Sequence, residues 1–152
     1  MRRTAQLVLL DPANRVLLFR REDDDGTGFW GPVGGGIEPG ESAEHAAVRE
    51  AREETGLEVA LGPEIWHRRH IFTWRGDRHN VHERWFLARA PSADVRTDNW
   101  SPNEIRTITA HRWWPLDELR RCRERTVPGD LADRVADILS DGPPDEPVTI
   151  GI

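Results

Sequence analysis

The chain of 152 residues contains no lysine, so all 21 of its basic residues are arginine. Schiff-base chemistry and lysine nucleophiles are thereby excluded. It also lacks tyrosine, and its single cysteine is Cys122. One cysteine allows no internal disulfide, fits a reducing cytosol, and reads as a semi-buried thiol rather than a nucleophile. No apolar run approaches transmembrane length, and Met1-Arg2-Arg3 leads into a strand-like pattern rather than a signal sequence. A cytoplasmic protein with no membrane association is expected. Basic excess is missing as well: the formal net charge is −6, which argues against general affinity for nucleic acid. With no internal repeat and no linker, one domain is expected over residues 1–141, followed by a Pro-rich tail over 142–152.

What the chain does have is concentrated between Gly35 and Leu57. Gly34-Gly35-Gly36 and Pro39-Gly40 mark turns. Glu41 or Ser42 then caps a helix, alanines fill it, and Gly56 stops it. Glu50, Glu53 and Glu54 fall at i, i+3 and i+4 and share one face. On a helical wheel they lie within the arc of Ala43, Ala46, Ala47 and Ala51, with His45, Arg49 and Arg52 opposite. An ordinary amphipathic helix keeps its acids away from its apolar arc. Carboxylates crowded toward the buried side need a cation or a partner, and hard oxygen donors suit Mg²⁺ or Mn²⁺.

This stretch resembles the Nudix box of the Nudix hydrolases at nine defined positions: Gly35, Glu41, Arg49, Glu50, Ala51, Glu53, Glu54, Gly56 and Leu57. Trp113-Trp114-Pro115-Leu116-Asp117-Glu118-Leu119 is similar to a segment common near the end of such domains. The resemblance departs at the turn, where Pro32 stands one residue early and Val33 precedes the glycines. It implies an α/β fold, an α/β/α sandwich with a mixed β-sheet. It also implies metal-assisted attack of water on the diphosphate linkage of a nucleoside diphosphate derivative, such as a nucleoside triphosphate. Glu50, Glu53, Glu54 and the Gly35 carbonyl would hold the metal, Glu53 would bridge a further ion or accept a proton, and Arg49 would pair with a box carboxylate. An extra carboxylate often comes from a later loop: Glu104 is the candidate and Glu83 the competitor. Dinucleoside polyphosphates and ADP-sugars are alternative substrates, and a nucleotide-binding regulator without turnover is the alternative role. An isoprenyl diphosphate isomerase would want a cysteine nearer the site than Cys122, and a Ca²⁺ module would want EF-hand spacing, which is absent.

Elsewhere, strands are expected at Thr4–Leu10, Arg15–Arg20, Glu58–Leu61, Ile65–Trp74, Val81–Arg89 and Ile105–Trp114, with helices at Leu116–Arg125 and Asp130–Leu139. A six-residue loop, 75–80, joins the two long central strands. His67/His70 and His79/His82 could chelate zinc only on a helix; strands send i and i+3 to opposite faces. The segment Ile65–Ala90 carries six Arg against two acids, whereas Glu41–Glu54 carries five Glu against two Arg. An acidic helix near an Arg-rich hairpin suits a metal-bridged diphosphate held from both sides. Arg68 and Arg84 are therefore expected on phosphate, and Trp74 and Trp30 on the rest of the substrate. Trp66, Arg68, His70, Phe72 and Trp74 should share one face. The small-molecule nucleotide is the expected partner, and a homodimer is left open.

Overall fold

The computed structural model describes residues 1–151. Its elements are β1 (Arg2–Leu10), β2 (Val16–Glu22), β3 (Gly28–Gly31), β4 (Val33–Gly36), α1 (Ala43–Thr55), β5 (Ala60–Trp74), β6 (Asp77–Arg89), α2 (Pro102–Thr107), β7 (Ile108–Trp114), α3 (Leu116–Arg120), β8 (Arg125–Thr126), α4 (Leu131–Asp141) and β9 (Val148–Ile150). The strands run in the order β8-β3-β2-β1-β6-β5-β9, with β4 also on β1 and β7 also on β2. The sheet is mixed: β1 runs parallel to β6, whereas β5 and β6 form an antiparallel hairpin.

Strand β1 sorts the core by alternation. Ala5, Leu7 and Leu9 cluster with Ala43, Ala46, Ala47 and Ala51 of α1. Val8 and Leu10 join a second cluster with Trp66, Trp85 and the α4 residues Leu131, Val135 and Ile138. Both faces of the sheet are thus covered, giving a helix–sheet–helix sandwich. Each fully buried leucine of β1 gains roughly 1.5–3 kcal/mol of transfer free energy.

Several boundaries differ from those read in the sequence, and the strands expected at Glu58–Leu61 and Ile65–Trp74 run as one, β5. The loop of 75–80 shrinks to Arg75-Gly76, because Trp74 pairs with Asp77 and the ladder continues. Arg75 at φ 50° and Gly76 at φ 82° supply the left-handed pair that tight hairpins require. The strand expected from Ile105 begins at Ile108, because Ser101 and Glu104 close a capping box that turns Pro102–Thr107 into a helix. The helix expected to reach Arg125 stops at Arg120; Arg125 and Thr126 pair instead with Phe29 and Trp30. The segment expected as a tail contributes Val148–Ile150, which pair with Trp66–Arg68 on the edge of β5.

Candidate active site

Helix α1 begins where the Ser42 hydroxyl accepts the His45 amide at 3.0 Å. It ends at Gly56, whose φ of 71° is open to glycine and whose N–H returns to the Arg52 carbonyl. Arg49 organises the face between. Its guanidinium grips Glu41 with two bonds of 2.8 Å and donates to the Gly36 carbonyl at 2.9 Å. It also reaches Glu50 at 3.0 Å and Glu53 at 3.3 Å. The expected pairing with a box carboxylate is present, but the forked bond to Glu41 is the stronger one. That fork holds the Glu41 carboxyl well below the usual range.

The three box carboxylates occupy different depths. The Glu53 side chain is 47% exposed and that of Glu50 14%, whereas Glu54 is wholly buried. Glu54 Oε1 accepts the Gly34 amide at 2.9 Å and Oε2 takes Arg21 at 3.2 Å. Burial pushes the Glu54 carboxyl up to about 8 against the opposing pull of Arg21 and the Gly34 amide. Burial also raises Glu50; Arg49 opposes the shift, and Glu53 and Glu104 add to it. Glu104 raises Glu54 too, so it stands in the same field. Glu83 does not enter the causes of either shift. Gly35 explains itself here: a Cβ at this position would sit 2.5 Å from the Glu50 carboxyl.

These groups line one wall of a cleft of about 750 Å³. The facing surface comes from β5, β6 and β3, chiefly His70, Phe72, Trp74, His79, Glu83 and Phe29. His70 stacks on Phe72 at 4.4 Å between centroids, and Phe72 on His79 at 5.0 Å. Trp74 meets Phe29 edge-on at 5.2 Å, with the Arg75 guanidinium 5.7 Å over its ring. Arg75 is tied by its N–H to Asp23 at 3.0 Å and by its side chain to Asp24 at 2.8 Å, so the acidic Asp23–Asp25 loop anchors this rim.

Of the residues expected on substrate, only Trp74 lines the cleft. Arg68 is on the expected face with His70, Phe72 and Trp74, but it is fully buried on Glu83 at 2.9 Å and the Gly151 carbonyl at 3.1 Å. Arg84 lies on the other face, forked onto Glu64 at 2.7 and 2.9 Å. Trp30 is buried, donating to Glu124 at 3.1 Å and packing edge-on against Trp114 at 5.1 Å. These three are corrections with one cause: each polar or aromatic group found a partner in the protein that only the tertiary pairing reveals. The cleft takes its arginines from Arg2, Arg21, Arg49 and Arg125 instead. Arg2 and Arg125 carry no sequence signal, since β1 and β8 bring them in through sheet pairing. The histidine pairs divide likewise, with His79 in the stack and His82 edge-on to His67 at 5.7 Å.

Glu50, Glu53, Glu104 and the Gly35 carbonyl would offer hard oxygen, the donor type that suits a small divalent cation. The space that a Cβ at Gly35 would fill is the space such an ion needs beside Glu50. Among the described residues, no three His, Cys, Asp or Glu side chains form a closed cage as they stand. An ion would therefore bind with water in part of its shell.

A mixed-sheet sandwich with a capped, carboxylate-bearing helix over a nucleotide-sized cleft defines the class of the protein. The description NUDIX domain matches residues 1–135, and the chain belongs to the NUDIX family. It is 30% identical over 131 residues to an RNA pyrophosphohydrolase of Erythrobacter litoralis strain HTCC2594, covering 79% of each chain. It is 40% identical over 55 residues to the CTP pyrophosphohydrolase of Escherichia coli K12, a match spanning 36% of this chain and 41% of that one. Its fold is similar to that of a MutT protein from Methanosarcina mazei Go1, with a TM-score of 0.71 at 20% identity over 92% of this chain and 96% of that one.

Proposed function

We infer that this chain is a metal-dependent hydrolase that cleaves the diphosphate linkage of a nucleoside diphosphate derivative, with a nucleoside triphosphate as the leading substrate. The observation that carries the reading is one cleft whose opposite surfaces are a carboxylate wall and an aromatic surface. Pyrophosphohydrolase activity in the similar E. litoralis and E. coli proteins points the same way.

Glu50, Glu53, Glu104 and the Gly35 carbonyl would hold Mg²⁺, with Mn²⁺ as the substitute. The ion would offset phosphate charge and lower the pKa of a bound water. Glu54 could join that set by releasing Arg21, and meanwhile it fixes the turn by accepting the Gly34 amide. Glu53, the most exposed of the three box glutamates, is free to accept a proton from the attacking water. Arg49 holds Glu50 and Glu53 in position through its fork on Glu41. Arg2 and Arg125 would meet the phosphates, and Trp74 the remainder of the substrate. Among the described residues no helix is long and apolar enough to cross a membrane, and the cytosol is the proposed setting.

The test is release of phosphate or diphosphate from a panel of nucleoside triphosphates, dinucleoside polyphosphates and ADP-sugars, with and without Mg²⁺. Magnesium-dependent turnover that favours triphosphates is expected. Binding without turnover throughout the panel would leave a regulator, and full activity after exhaustive chelation would overturn the metal assignment.

A further inference from the structure

The Arg68–Glu83 pair is costly where it stands. Both residues are buried, Arg68 entirely, directly across the β5–β6 ladder from one another. A buried ion pair is often no more stabilising than apolar residues of the same volume, so its presence beside a cleft asks for another reason. Its bonding is also lopsided. Glu83 Oε1 takes both Arg68 at 2.9 Å and the Trp85 indole N–H at 3.0 Å. Glu83 Oε2 accepts nothing among the described residues, and the residue lines the cleft. Beside it, His70 is 7% exposed, lines the same cleft, and has a buried Nδ1 without a partner among the described residues. Buried polar atoms in native proteins are nearly always satisfied, so the orphaned Nδ1 of His70, beside a carboxylate with one oxygen unbonded at the cleft, points to a bound group that supplies the missing bonds.

The neighbourhood says what kind of group. His70 and Phe72 are stacked at an interplanar angle of 20°, and Phe72 and His79 at 17°, and all three rings line the cleft with the carboxylate. Desolvation, together with Arg68 and Arg125, pushes His70 down to about 4, so its ring is uncharged near neutral pH. An uncharged aromatic ladder next to a fixed acceptor suits a nucleobase better than a phosphate. Among bases, guanine alone presents two adjacent N–H donors, at N1 and the 2-amino group, to one acceptor. Uracil presents a single N–H flanked by two carbonyls that would oppose the carboxylate. Adenine and cytosine place a ring-nitrogen acceptor beside the amino group.

We propose that Glu83, held by Arg68 and Trp85 on the cleft floor, reads the base of the substrate and selects guanine nucleotides. The proposal rests on the functional reading above for the identity of the ligand class, but not on turnover. Glu83 is then a specificity residue, distinct from the metal-side carboxylates with which Glu104 is grouped.

Nucleoside monophosphates test this without chemistry, since they offer no diphosphate to cleave. Calorimetric titration of the wild-type protein with GMP, AMP, CMP and UMP should show GMP tightest by about tenfold or more, the usual size of discrimination by a hydrogen bond to a charged group. Inosine monophosphate, which lacks the 2-amino group, should bind about tenfold more weakly than GMP. Glu83→Gln should erase the difference between GMP and inosine monophosphate, with Arg68 still capped by the amide oxygen. Equal binding of GMP and inosine monophosphate to the wild-type protein would overturn the proposal, and that comparison needs no variant to fold. A uniform loss across all bases in Glu83→Gln would also overturn it, by making the residue structural. Base selectivity in an enzyme with no turnover on any nucleotide would sink the hydrolase reading and leave the guanine site standing. Turnover without selectivity would do the reverse.

Discussion

The two sides of the cleft are built on opposite physical plans. One wall crowds Glu50, Glu53 and Glu104 together, and burial, with repulsion from Glu53 and Glu104, pushes Glu50 up against the pull of Arg49. The other stacks His70, Phe72 and His79 and adds Trp74, edge-on to Phe29. Charge that repels itself stores a demand for a cation, which is a means of stabilising a transition state. Stacked rings have no such demand and interact with a substrate about equally before and during reaction. The contrast teaches that turnover and affinity should be separable here by substitution: the first wall should govern kcat and the second KM.

The sharpest break in that contrast comes from Glu53→Gln, which keeps the shape and removes the charge. Turnover should fall by about a hundredfold or more, with unchanged melting temperature and little change in KM. Gly35→Ala should follow, because its Cβ would collide with the Glu50 carboxyl while the backbone itself needs no left-handed angle there. We expect roughly a tenfold to hundredfold loss of kcat with the fold retained by circular dichroism. Arg49→Lys should cost about tenfold, since an ammonium cannot fork onto Glu41 while also reaching Gly36 and Glu50; steady-state kinetics with a Glu41→Gln comparison would show whether the fork is the cause.

The smallest effect concerns pH and the second wall. His70 is lowered to about 4 in the folded protein, chiefly by burial, against an unfolded value near 6.5. The unfolded chain therefore binds the extra proton first. The stability His70 confers is complete above about 6.5 and lost as the pH falls through about 4. The melting temperature of the wild-type protein should accordingly drop more steeply than that of His70→Asn over that window, and parallel curves would count against the desolvated ring.

The two walls also differ in how far sequence alone reaches them. Glu50, Glu53, Glu54 and Arg49 are neighbours on one helix, so spacing places them; Ser42, Gly56 and the alanine arc set that helix locally. The second wall depends on which residues face each other across β5 and β6. Alternation gave the shared face of Arg68, His70, Phe72 and Trp74, but not that Glu83 stands opposite Arg68 and absorbs it. Arg84 read as a phosphate ligand because Glu64 is twenty residues away in sequence and only the antiparallel register brings them together. Trp30 read as a rim residue because Glu124 and Trp114 are unforeseeable from its own surroundings. Glu104 was reachable, since the Ser101-to-Glu104 spacing is a capping signal, yet a strand pattern starting at Ile105 masked the short helix.

The central claim is that the carboxylate wall performs the chemistry and the aromatic surface binds the substrate. Steady-state kinetics of Glu53→Gln and Trp74→Ala on the same nucleoside triphosphate, at saturating Mg²⁺, test it most directly. Trp74 is only half-buried, so truncation should spare stability, unlike Trp66→Ala in the core, where a loss of about 3–5 kcal/mol is expected. The account predicts that Glu53→Gln lowers kcat about a hundredfold at near-constant KM, while Trp74→Ala raises KM about tenfold at near-constant kcat. Near-normal kcat in Glu53→Gln, or a fall in kcat rather than a rise in KM in Trp74→Ala, would contradict it.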